Sequence, residues 1–180
     1  MLRAVAADLE RDRELVARQL GREPRAFRRV AVRCPFGAPA VTEQSPYAPG
    51  GEPFPTTYWV TCCHLVAAIS RLEAAGGVEA WTAAARDDPE LAASLERAHA
   101  RQRALRRELA AGETGSDGGA SLELGVGGAG RGGSLKCLHA HAGLALAHPG
   151  YLLGERILAA LDPLWPERCC TLPPGTTLPS

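Results

Sequence analysis

The 180-residue chain predicts an α+β fold, with a short antiparallel sheet of about three strands and several helices packed against it. Two features carry that reading. Between residues 26 and 62, stretches rich in β-branched and aromatic side chains alternate with proline and glycine turns. From Cys63 onward the apolar residues recur at helical spacing, apart from one glycine-rich interruption.

Taken in order, residues 8–20 place Leu9, Val16 and Leu20 on a helical stripe, with Asp12 to Glu14 facing solvent and Gly21 as the stop. "AFRRVAVR" alternates as a strand, "CPFG" turns, and "PAVTEQ" returns as a second strand. "SPYAPGGEPFP" is a loop, and "TTYWVTC" is the strongest strand in the chain. A helix from Cys63 carries Leu65, Ile69 and Leu72 on one face and stops at Gly76 and Gly77. A short helix spans Val78 to Arg86. The longer "DPELAASLERAHARQRALRREL" follows, with Asp88 as cap, Pro89 in the first turn and Glu90 at the positive end of the dipole. Residues 112–133 hold ten glycines and predict a flexible, unpacked loop. Two helices, at about 136–147 and 151–161, close a single domain over residues 1–165. The proline-rich stretch 166–180 predicts a disordered tail.

Formal net charge is zero, so no global field draws the protein to nucleic acid or an anionic membrane. Arg25, Arg28, Arg29 and Arg33 cluster around the first strand without interleaved aromatics, which reads as a solvated face. Nineteen of the twenty basic residues are arginine, which together with abundant Ala, Gly and Pro points to a GC-rich bacterial genome. Acidic residues interrupt the N-terminus before a secretory h-region can form, and no apolar run is long enough to span a bilayer. The cytoplasm is therefore the expected compartment. There, six cysteines read as thiols, ligands or redox groups rather than structural disulfides. "GVGGAGRGG" lacks the GK[ST] ending of a phosphate-cradling loop.

The chemistry concentrates at element boundaries. Cys34 begins the first turn, Cys62 ends the third strand, and Cys137 opens the helix after the glycine-rich stretch. With His139 they form a Cys₃His set suited to tetrahedral Zn²⁺. The set is scattered, since "CPFG" has Phe36 where a zinc knuckle would carry its second sulfur. If all of "KCLHAH" is helical, Cys137 shares a face with His141. If the helix begins at Leu138, Cys137 converges with His139. His64, after "TCC", is a further alternative ligand. The same residues admit a nucleophile reading, with a Cys137 thiolate at a helix N-terminus beside Lys136 and a histidine. Phe54, Tyr58 and Trp59 read as core or cleft wall, His99 as a surface residue of a charged helix, and adjacent Cys169 and Cys170 as free thiols.

"RQLGREPR", "RCPFGAPAV", "PFPTTYWVTC", "SRLEAAGG" and "KCLHAH", in that order, resemble the domain of unknown function 501 family, mainly actinobacterial, from about Asp8 to Leu161. The resemblance implies that Cys34, Cys62, Cys137 and His139 are shared positions. It implies no established activity. Family members often read "RCPCG" at the first turn, so Phe36 departs from their pattern, as do Cys63 and the Cys169–Cys170 pair. The expectation is an uncharacterised cytoplasmic protein whose Cys/His cluster binds a structural metal, with zinc the candidate cofactor. Its rivals are an enzyme using a thiolate or open-coordination metal at Cys137 and His139, and a partner-binding adaptor linked to growth or division with merely buried cysteines. The adaptor's hallmark would be an exposed apolar patch.

Overall fold

The computed structural model describes residues 2–130 and 135–171, with side chains from residue 7 onward. Helix α1 (Leu2–Leu20) leads into a three-stranded antiparallel sheet, β1 (Phe27–Arg33), β2 (Pro39–Gln44) and β3 (Tyr58–Val60), in spatial order β1-β2-β3. Five helices follow: α2 (Cys63–Ala74), α3 (Gly77–Asp87), α4 (Pro89–Ala110), α5 (Leu138–Ala147) and α6 (Leu152–Ala159). The α+β reading holds.

The central strand explains the sheet. Every residue of β2 is buried, including Thr42, Glu43 and Gln44. Burying a carboxylate is costly unless it is paired. Glu43 meets the Arg29 guanidinium through two bonds, of 3.1 and 2.7 Å, and lies 3.5 Å from Arg28. Arg25 pairs with Glu52 and Arg33 with Asp12, so each member of the basic cluster faces a carboxylate. Asp12, expected to face water, is buried at that Arg33 contact, because the helix stripe rolls onto the sheet edge.

Helix α4 starts as its sequence dictates. The Asp88 carboxylate accepts from the Glu90 and Leu91 amides, and Pro89 fills the first turn. Its inner face holds two groups that the charged sequence conceals. Arg106 is fully buried and donates to the carbonyls of Phe54 (2.8 Å) and Ser121 (3.1 Å), tying two loops to the helix. His99, expected at the surface, is buried and accepts the Val126 amide through Nδ1 at 3.0 Å. Gly125 makes that approach feasible, since a Cβ there would collide with the imidazole.

That contact corrects the reading of the glycine-rich stretch as unpacked. Over its described part, 112–130, two short 3₁₀ turns form at Ala120–Glu123 and Val126–Gly128, and Leu122, Val126 and Ala129 are buried. Sparse apolar residues find the core because the glycines between them permit tight turns. Residues 131–133 lie outside the described residues. Of the expected tail, 172–180 also lie outside them, while Cys169 to Thr171 reach back onto the body of the fold, where Gln19 donates to the Thr171 hydroxyl at 2.9 Å.

Helix α5 is the axis of the core. It contacts all three strands and packs on α6. Gly143 lets it approach β3 closely, for a Cβ at that position would lie 2.6 Å from the Tyr58 carbonyl oxygen.

Candidate metal centre

The first residue of α5 is Leu138, and Cys137 precedes it in extended conformation (φ −157°, ψ 120°) as the N-cap. The cap uses no side chain of its own. Instead Glu73, from the last turn of α2, accepts the Leu138 amide through Oε1 at 2.6 Å. An orphan donor at a helix start is thus satisfied by a carboxylate from another helix, which also suits the positive end of the dipole.

With the helix beginning at Leu138, Cys137 and His139 converge. His139 Nδ1 lies 3.8 Å from Cys137 Sγ and 3.3 Å from Glu73 Oε2. The ring's other nitrogen, Nε2, faces the Val66 carbonyl at 3.3 Å and the Ser70 hydroxyl at 3.4 Å. One ligand atom each from Glu73, Cys137 and His139 lies within 4.8 Å of the other two. All three residues are half-buried, so the group opens to solvent on one side. The site attracts positive charge. The His139 pKa is raised above its ordinary value, first by the hydrogen bond with Cys137 and then by the Glu73 charge, against the effect of burial.

Of the Cys₃His set expected from the sequence, only Cys137 and His139 come together at ligand distance among the described residues. Cys34 and Cys62 do not join them. Both are buried, and the C-terminal segment brings other thiols to them. Cys62 Sγ lies 3.6 Å from Cys170 Sγ, and Cys34 interacts with Cys169. Burial raises the Cys34 pKa and pushes Cys62 to about 12. A thiol that resists ionisation is a poor ligand on its own. The sequence placed these cysteines correctly at element ends but could not show which end faces which.

The alternates are also accounted for. His141 is fully buried on the inner face of α5, 2.6 Å from the Tyr151 hydroxyl, and burial holds it neutral with a pKa pushed down to about 3. His64 Nε2 donates to the Pro163 carbonyl at 2.9 Å, so it belongs to the join between α2 and the chain end. Sequence reasoning missed Glu73. Its only local signal was an acidic residue near a helix C-terminus, where the dipole disfavours negative charge.

Among the described residues, six α-helices on a three-stranded antiparallel sheet, with one Glu/Cys/His group between two helix ends, define an α+β protein with a candidate cation site. The chain belongs to the DUF501 family, proteins of unknown function, whose profile matches residues 30–159. That span holds Glu73, Cys137 and His139, together with Cys34 and Cys62, and ends before Cys169 and Cys170. No curated protein and no solved structure matches the chain. No helix among the described residues is long and apolar enough to cross a membrane. Among those residues, the exposed large apolar side chains are Leu9 and Val66.

Proposed function

We propose that this protein binds a divalent cation, Zn²⁺ by the chemistry of the ligands, through Glu73 Oε2, Cys137 Sγ and His139 Nδ1. The observation that carries the reading is the spacing of those atoms. Zn–S near 2.3 Å with Zn–N and Zn–O near 2.1 Å at tetrahedral angles implies S···N of about 3.6 Å and N···O of about 3.4 Å. The distances here are 3.8 and 3.3 Å. The surroundings agree. A metal-bound imidazole donates its other N–H to a carbonyl or carboxylate, and His139 Nε2 faces the Val66 carbonyl. The Leu138 amide fixes the Glu73 carboxylate and leaves Oε2 for the ion.

Three protein ligands leave a fourth position to water, which is the arrangement of catalytic rather than closed structural zinc sites. The ion would also join α2 to the start of α5 and so stabilise the fold. Metal analysis of protein purified without a histidine tag tests this. One zinc per chain is expected for the wild type and none for Cys137→Ser. A wild type that takes up no zinc, or a variant that keeps it, contradicts the proposal.

A second reading rests on the 3.8 Å contact itself: without metal, Cys137 is a nucleophile with His139 as its base, the sulfur lying at a helix N-terminus. Iodoacetamide separates the two. Under the metal reading, zinc protects Cys137 and chelation exposes it. A thiol labelled equally fast with and without zinc favours the second reading.

A further inference from the structure

At the opposite end of α5 a cavity of about 360 Å³ opens between α4 and the α5–α6 turn. Arg97 and Arg101, one turn apart on α4, form one wall. Leu144, Ala147 and Pro149 form an apolar wall, and His148 lies between them. Among the described residues, no carboxylate lines it. Glu155, whose carboxylate reaches the lining residue Gly150, is bonded to the Gly150 amide at 2.6 Å. Arg97 has no hydrogen-bond or ion-pair partner among the described residues, and Arg101 has only the His148 ring.

His148 adds no compensating charge. Arg101 can only donate, so His148 Nδ1, 2.7 Å away, must accept. Nε2 then carries the proton and donates to the Tyr58 hydroxyl at 2.7 Å, and Tyr58 donates onward to buried Glu43 at 3.4 Å. Burial and the Arg101 charge both lower the His148 pKa, which keeps the ring neutral. This chain of bonds fixes Arg101 from beneath. The cavity therefore carries two positive charges with no carboxylate bonded to either on one side, and an apolar surface on the other.

The geometry points to a binding site for a small phosphate monoester, its phosphate held by Arg97 and Arg101 and its organic part lying on Leu144, Ala147 and Pro149. A phosphate monoester carries about −1.5 to −2 charges at neutral pH, which matches two guanidinium groups better than a single carboxylate does. Volumes of this order are typical of small-molecule pockets. The site is separate in sequence and in chemistry from the Glu73/Cys137/His139 group.

Titration calorimetry at fixed ionic strength with phenyl phosphate, inorganic phosphate and benzoate tests the assignment. Phenyl phosphate should bind one site per chain, at least tenfold tighter than either of the others. Arg97→Gln should weaken it about tenfold, and Arg97→Gln/Arg101→Gln about a hundredfold, as expected for loss of charged hydrogen bonds. Arg86→Gln, an exposed charge on α3, should leave the affinity within twofold. No saturable binding of phenyl phosphate overturns the inference. So does an affinity that Arg86→Gln lowers as much as Arg97→Gln, or inorganic phosphate or benzoate binding as tightly as phenyl phosphate.

Discussion

Two histidines at the two ends of α5 experience opposite environments. At the N-terminal end, His139 sits between a thiol and a carboxylate, which raise its pKa. At the C-terminal end, His148 sits beside Arg101 under partial burial, which lowers it. The helix dipole alone favours a protonated imidazole at the C-terminus and disfavours one at the N-terminus. Cys137 and Glu73 override that preference at one end, and burial with Arg101 at the other. The difference shows that site chemistry here depends on what α2 and α4 bring to α5 as well as on its own cap, Cys137. Under the two proposals above, one end takes a cation and the other an anion.

His141, between the two, gives the largest expected effect and calibrates the comparison. Its folded pKa of about 3 lies far below the unfolded value of about 6.5. As pH falls below 6.5 the unfolded chain binds a proton that the native chain refuses, so this contribution is present above 6.5 and is lost on acidification. For this one group the loss is about 1.4 kcal/mol per pH unit, ending near the folded pKa. His139 has the opposite sign. Its raised pKa gives stability below 6.5 that is lost as pH rises through the folded value, so it adds no slope in the acid window. Urea unfolding of metal-free protein between pH 6.5 and 4.5 should show the steep acid loss, and His141→Asn should flatten it to what buried His99 and His148 contribute. An unchanged slope in that variant would place the titration elsewhere.

Moving the helix itself should cost somewhat less. Gly143→Ala puts a methyl group against the Tyr58 carbonyl and forces α5 away from β3. A loss of about 2 to 3 kcal/mol in equilibrium unfolding is expected. A neutral result would mean that α5 is not seated so closely.

Glu73→Gln sharpens the contrast at the N-terminal end alone. Glutamine can still accept the Leu138 amide but brings no charge to the ion. Zinc affinity should fall about 10- to 100-fold, read by competition with a chromogenic chelator, while stability of the metal-free protein changes little. Loss of stability without loss of affinity would make Glu73 a cap and nothing more. The smallest effect belongs to Asp88→Ala, where a local cap belonging to neither site is removed. A cost of about 1 kcal/mol in thermal or urea unfolding is expected, with zinc affinity unchanged.

How much of this was legible in the sequence follows the same division. Elements with local signals could be read, such as the Asp88–Pro89–Glu90 start of α4, the Gly76 stop of α2 and the β-branched strand β1. Groups whose partners come from elsewhere could not. Arg106 and His99 sit in a helix that looks solvated, and their burial depends on where the glycine-rich stretch returns. The sequence pairs Cys137 with His139 on one of two helix registers, and in the register that forms Leu138 is capped by Glu73, 65 positions away in the chain. Cys34 and Cys62 stand at element ends as the sequence predicts, but a segment after Pro166 supplies their neighbours. Spacing within a chain reports local geometry, whereas a site built from two helix ends is a property of their packing.

X-ray absorption at the zinc edge of the loaded wild type tests the central claim most directly. One sulfur near 2.3 Å and three nitrogen or oxygen neighbours near 2.0 to 2.1 Å are expected, from Cys137, His139, Glu73 and one water. A shell of three or four sulfurs would place the ion among the other cysteines, and a shell with no sulfur would place it off Cys137. Either result would contradict a centre formed where α2 meets the first turn of α5.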